Sequence, residues 1–320
     1  MKRHWRKLVF GVGVLAFAAL VLVIILVIGL LRPSPPVPPG ATTPPTTPRA
    51  DSQPADCPDV LVVSIPGTWE SGANDDPYNP TANRNALLLR VTRTLQQNFP
   101  TQRAEVYTVP YVAQFRNPTV LGDRQQDYNV SRAQGKRRTV AKLTKTHDHC
   151  PLTTYILMGF SQGAVIAGDV ASDIGNDRGP IPAADQDLIL GVGLIADGRR
   201  ESGQQQDVGP SPSGHGAEIA LAAFGGLVPG IEMTGSRSGG FGSLTDRVYS
   251  VCAGGDLICD APQVTNPIAA LNNLAGAAAN PVHAMYATDK YWSMGGATAT
   301  QWLYAWSSRL IKDAPQPKHS

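Results

Sequence analysis

Charge is the first thing this chain has little of. Only 16% of its 320 residues are Asp, Glu, Lys or Arg, and 27 basic against 25 acidic side chains leave a net charge of +2. A nucleic-acid partner calls for a concentrated basic surface, so the composition gives no reason to expect one. Cysteine is scarce as well, at four residues with no Cys-x-x-Cys pair, which takes away the usual structural-zinc spacing. No internal repeat is present. What remains is 42% hydrophobic, enough for a sizeable core in one large domain or two small ones.

The N-terminus is different in kind. MKRHWRK precedes residues 8–31, an apolar run without a charged or strongly polar side chain. At about 1.5 Å per residue a helix of that length crosses a hydrocarbon core of about 30 Å. A cleavable signal peptide is the competing reading, but its apolar region is shorter, about 7 to 15 residues, and ends in a small-residue cleavage site. The length favours an uncleaved transmembrane signal-anchor over residues 1–31, with its basic tip in the cytoplasm. The expected location is the cell membrane, single-pass, with everything beyond Arg32 outside. Residues 32–56 are rich in Pro and Thr and read as an extended linker.

All four cysteines, Cys57, Cys150, Cys252 and Cys259, lie beyond that anchor, where two disulfides can form in one of three pairings. Cys252 and Cys259 are close enough to clip one short loop, which leaves Cys57 for Cys150. A zinc site at His147-Asp148-His149-Cys150 is the rival, although those residues are adjacent rather than helically spaced.

From residue 59 onward short β-branched runs alternate with helical patterns. Strands are expected at 60–65, 104–109, 153–160, 188–196 and 247–253, and most are nearly continuous apolar runs, as in a parallel sheet covered on both faces. Helices are expected at about 83–98, 132–146, 162–175, 263–278 and 297–311. The alternation predicts a three-layer α/β domain over 57–312 around a central five-stranded parallel sheet. Residues 313–320 read as a frayed tail. The basic stretch 132–145 is either a lipid-touching patch or, given its few apolar residues, the solvated face of a helix. Residues 197–243 break the pattern. They are too long for an ordinary connection, apolar at the centre and Gly- and Ser-rich at the flanks, which suits either a lid over a site or a helical insertion packed on the core.

GFSQG, 159–163, carries the chemistry. It follows the apolar run TTYILMGF and precedes the helical pattern AVIAGDVASDI, the strand-turn-helix context in which a Gly-x-Ser-x-Gly serine is a nucleophile. A serine needs a base, and the base needs a carboxylate to orient it. Hydrolases of this type present Ser, acid and His in that order. Of six histidines, only His215 in the insertion and His283 follow Ser161 outside the tail. Asp256, between Cys252 and Cys259, is the best-placed acid, with Asp260 the alternative. The oxyanion needs backbone donors, expected at Gln162 and in the loop PGTWESG at Thr68.

These motifs resemble the cutinase family: the Gly-Thr turn with Glu70, GFSQGA, CAGGDLIC and HAMY at 283–286, together with DCPD and HCP at the first cysteine pair. The resemblance spans about residues 56–312. It is similar in particular to the membrane-anchored cutinase-like lipases of mycolic-acid-bearing actinobacteria. It implies an α/β-hydrolase without cofactor or metal that cleaves carboxylic esters of lipids, phospholipids and thioesters included. Ser161 is then the nucleophile, His283 the base, Asp256 the orienting acid, and Thr68 and Gln162 surround the oxyanion. Two departures, Pro66 where many members have Arg and the long 197–243 insertion, lie near the substrate, so plant cutin is not inherited. The alternatives are an acyltransferase using the same acyl-enzyme, a polysaccharide acetyl-esterase, or a catalytically silent wall-binding module.

Overall fold

The computed structural model describes residues 49–117, 120, 122–226, 228–264, 266–278 and 280–320. The expected transmembrane run 8–31 and the linker up to residue 48 lie outside the described residues. Within them no helix is long and apolar enough to cross a membrane.

Six strands, all parallel, form one sheet in the order β2-β1-β3-β4-β6-β5. They are β1 Val60–Ile65, β2 Ala104–Thr108, β3 Thr154–Phe160, β4 Ile189–Ile195, β5 Gln206–Asp207 and β6 Val248–Val251. The five strands expected from apolar runs are present. The count is six because Gln206 and Asp207, at the start of the 197–243 segment, add a two-residue edge strand to β6. Both residues are polar and exposed, so hydrophobic periodicity carries no trace of them.

Every residue of β1 and β3 is buried, and their alternation sorts side chains into two cores. Val60, Val62, Ile156 and Met158 face α1 (Leu89–Asn98) and α6 (Ala299–Asp313), meeting Val91, Leu95, Leu303 and Ile311. Leu61, Val63, Tyr155 and Leu157 face α2 (Tyr128–His149) and α3 (Gln162–Gly175), meeting Leu143, Ile166 and Val170. Each fully buried aliphatic contributes about 1.5 to 3 kcal/mol. Thr298 starts α6 with a reciprocal capping box to Gln301, which satisfies two of the amides a helix start leaves free.

Helix α2 extends beyond its expected range at both ends, and Arg137 and Lys145 face solvent, while others of its basic residues are tied to neighbouring elements. Lys136 pairs with Asp173, Lys142 with Glu105, and Arg132 with Glu218, each within 2.7 Å, while Arg138 donates to the carbonyls of Ala73 and Pro110. The insertion contains β5, the single turn α4 (Ala217–Ala220) and short 3-10 turns. Arg237 fastens it. Its guanidinium is buried between Asp169 of α3, at 2.9 Å, and Asp197, at 2.7 Å.

The tail expected to fray is ordered, because its backbone finds partners. Gln53 donates to Lys318 O and Ser320 donates to Gln53 O, at 2.9 Å each, and His319 Nε2 reaches Asp59 Oδ1 at 2.9 Å. The last residues assigned to the linker are ordered too, with Arg49 clasping Asp185 and Asp187. All of these contacts lie at the N-terminal ends of the strands.

Disulfides join Cys57 to Cys150 and Cys252 to Cys259. Cys57, His149 and Cys150 cluster within 4.8 Å, yet both sulfurs are in the disulfide and supply no thiolate for zinc. His149 pairs with Asp56, and His147 with Asp185.

Candidate active site

The site sits at the opposite, C-terminal end of the sheet. Between β3 and α3 the chain turns so tightly that Ser161 takes φ 55° and ψ −123°, a left-handed backbone costly for a residue with a Cβ. Ser161 N donates to Ile195 O at 2.9 Å, which ties the elbow to β4. Glycine is required on both sides. A Cβ on Gly159 would meet Gly163 O at 2.3 Å, and one on Gly163 would meet Ile65 O at 2.0 Å.

A chain of hydrogen bonds runs inward from the elbow. His283 Nε2 lies 2.8 Å from Ser161 Oγ, and its Nδ1 lies 3.0 Å from each carboxylate oxygen of Asp256. Asp256 is completely buried, and a buried carboxylate is tolerable only when donors replace its water. Besides the imidazole it has two, Ile258 N at 3.0 Å and Tyr286 Oη at 2.7 Å. Burial, reinforced by the nearby Asp256 charge, pushes the Tyr286 phenol well above its ordinary range, so it stays a donor. The Phe160 ring stacks on His283 with centroids 5.0 Å apart and holds the imidazole plane. Of the alternatives, Asp260 accepts Gly255 N, and His215 pairs with Ala261 through its backbone.

Thr68 and Ser161 line the same cleft, of about 380 Å³, with Trp69, Leu87, Phe115 and Ile258 among its other walls. Gln162 is the first residue of α3, so its N–H belongs to the unpaired amides of a helix start. Glu70 fixes the loop that carries Thr68: one carboxylate oxygen accepts Gly67 N at 2.9 Å and the other Leu87 N at 2.7 Å. Burial raises the carboxyl above its usual value, opposed by those two amides. Trp69 adopts φ 64° and stands half-exposed at the rim.

Sequence reasoning noticed Glu70 and Tyr286 only as parts of motifs. Neither the bond from Tyr286 to Asp256 nor the double clamp of Glu70 is a matter of residue type, and the one usable signal is spacing, Tyr three residues after His and Glu two after Thr.

An elbow serine hydrogen-bonded to a histidine, itself held by a buried carboxylate in the chain order Ser, Asp, His, is the arrangement of an α/β-hydrolase. This chain belongs to the cutinase family and is a carboxylic-ester hydrolase, the family model for Cutinase matching residues 56–290. It is 47% identical over 278 residues to the carboxylesterase Culp6 homolog of Corynebacterium glutamicum, covering 85% of this chain and 87% of that protein. Solved structures similar to it include a cutinase-like protein from Cryptococcus sp., 16% identical with a TM-score of 0.47, covering 84% of this chain and 100% of the other. The catalytic core of acetyl xylan esterase from Trichoderma reesei is also similar, at 16% identity and a TM-score of 0.46, covering 72% and 98%.

Proposed function

We propose that Ser161, His283 and Asp256 form the catalytic triad of a serine esterase that cleaves acyl esters of lipids, with phospholipids and thioesters in its range. The anchor read in residues 8–31 would hold the domain on the outer side of the cell membrane. The observation that carries the catalytic assignment is the unbroken relay from Ser161 Oγ through both nitrogens of His283 to Asp256.

In this reading His283 Nε2 takes the Ser161 proton as Oγ attacks the ester carbonyl. Asp256, accepting a hydrogen bond from the Nδ1–H group, fixes the tautomer and stabilises the imidazolium. Backbone N–H groups of Gln162 and Thr68 receive the oxyanion, and one such donor is worth roughly 10² to 10³ in kcat. His283 then returns its proton to the departing alkoxide. A water deprotonated by the same nitrogen hydrolyses the acyl-enzyme. The apolar walls of the cleft, Leu87, Phe115 and Ile258, support an acyl chain better than a polar one. Since the cleft also has room beside the serine, an acceptor alcohol in place of water gives an acyltransferase as the second reading.

The test is hydrolysis of p-nitrophenyl butyrate by the full chain, together with labelling by a fluorophosphonate. Ser161→Ala should abolish both. Undiminished turnover in that variant would refute the assignment, and a p-nitrophenol burst that stalls in water but becomes steady turnover, with the ester of the alcohol as product, when an acceptor alcohol is added would favour the transferase.

A further inference from the structure

Beyond Ser161 the cleft continues into an inner recess of about 90 Å³, walled largely by apolar side chains such as Val165, Leu221, Met233 and Ile258. Besides Thr68 and the hydrogen-bonded Tyr128 and Glu218, two amides interrupt those walls, Gln162 and Asn273, the latter on α5 (Pro267–Ala278). Gln162 is only 3% exposed. The side-chain nitrogens of both residues are buried without a hydrogen-bond partner among the described residues. Such groups are uncommon because an unpaired buried amide loses its water and gains nothing in return. Two of them in one recess beside a nucleophile point to a ligand with a polar atom.

The bonding around Gln162 says which kind. Its Oε1 lies 3.0 Å from Ser131 Oγ and 3.2 Å from Tyr111 Oη. Each of those hydroxyls also lies 2.7 Å from a carbonyl oxygen, Val112 O for Ser131 and Pro66 O for Tyr111. A hydroxyl has one proton. With both protons on the carbonyls, only lone pairs face Gln162, and turning its carboxamide over places NH2 against them and frees Oε1. The two orientations differ only in the hydrogen-bond network they satisfy. In one, a donor is left over, and in the other an acceptor. A hydroxyl satisfies either, and it can accept from Asn273 while donating to Gln162.

We infer that the recess selects acyl groups bearing a hydroxyl, with Gln162 and Asn273 as its specificity-determining side chains. The inference rests on Ser161 being the nucleophile. Because Gln162 directly follows Ser161, the hydroxyl belongs close to the scissile carbonyl, which makes 2- and 3-hydroxyacyl esters the substrate class.

The experiment compares p-nitrophenyl butyrate, 2-hydroxybutyrate and 3-hydroxybutyrate as substrates of the full chain. Each kcat/KM is divided by the ester's alkaline hydrolysis rate to remove intrinsic reactivity. One hydroxy ester should exceed butyrate by about tenfold or more, the size of one buried hydrogen bond. Gln162→Leu and Asn273→Leu should bring that ratio towards one. Equal corrected values for all three esters in the wild type overturn the inference whether or not the variants fold. A preference that survives in both variants overturns it too, since the hydroxyl is then recognised elsewhere. If butyrate is hydrolysed but no preference is seen, only the recess assignment fails. If butyrate is not hydrolysed at all, the nucleophile assignment fails and this one with it.

Discussion

The Nδ1 atom of His283 stands 3.0 Å from both oxygens of Asp256, so the imidazole is aimed along the bisector of the carboxylate rather than at one lone pair. Asp256→Asn keeps the shape but can turn an NH2 towards Nδ1 and favour the wrong tautomer. A fall in kcat of roughly 10⁴ is expected, as in other serine triads, while Tyr286→Phe, which removes only a supporting donor, should cost about tenfold. Steady-state hydrolysis of p-nitrophenyl butyrate measures both, and the order of the two effects is the decisive point.

Glu70→Gln replaces two acceptors by one acceptor and one donor, so either Gly67 N or Leu87 N must face an amide hydrogen. The loop carrying Thr68 should loosen, and kcat should fall by about 10- to 100-fold, less than outright loss of an oxyanion donor. KM should change little. An unchanged kcat would show that the loop holds its position without the clamp.

The two disulfides should fail differently. The Cys57–Cys150 bridge spans 93 residues and the Cys252–Cys259 bridge 7, and in the chain-entropy model they contribute about 4 to 5 and about 2 to 3 kcal/mol. Replacing the long pair with Ala should lower Tm more, whereas replacing the short pair, which brackets Asp256, should lower kcat more. Calorimetry and kinetics on the two double variants decide this.

Arg237→Met leaves Asp197 without its cation and Asp169 with Arg199 alone. Breaking a buried pair in this way costs about 3 to 5 kcal/mol, visible as a lower midpoint in urea. The Asp197→Leu, Arg237→Met double variant, which keeps the pair between Asp169 and Arg199, should recover much of that loss.

The clasp between His319 and Asp59 should depend on pH. The hydrogen bond to Asp59 raises His319 above its ordinary value of 6.5. A raised folded value stabilises the protonated, clasped form, so the contact is at full strength below that ordinary value and is lost as pH rises through the folded one. Amide exchange at Ser320 should therefore gain protection at acid pH, beyond the intrinsic pH dependence of exchange. His319→Gln should remove the effect.

The parts of this molecule legible in its sequence are those where one residue type has one physical use. Continuous apolar runs gave β1 and β3, and the glycines of GFSQG marked an elbow because no Cβ fits there. Asp256 was legible because its loop lies between two cysteines. The strand β5 was not, since two polar residues carry no period. Nor was the order in the tail, which comes from backbone bonds to Gln53, nor the Arg237 clamp, whose partners Asp169 and Asp197 are far away in sequence. Glu70, Tyr111 and Ser131 are ordinary residues whose importance is entirely in what they touch.

Because every strand runs the same way, Gln53 and His319 meet at the end of the sheet opposite Ser161. A bead, a fused reporter or an electrode coupled through either residue's flank meets the face opposite the Ser161 cleft. The cleft is left turned towards the solution, whichever of the two residues is used.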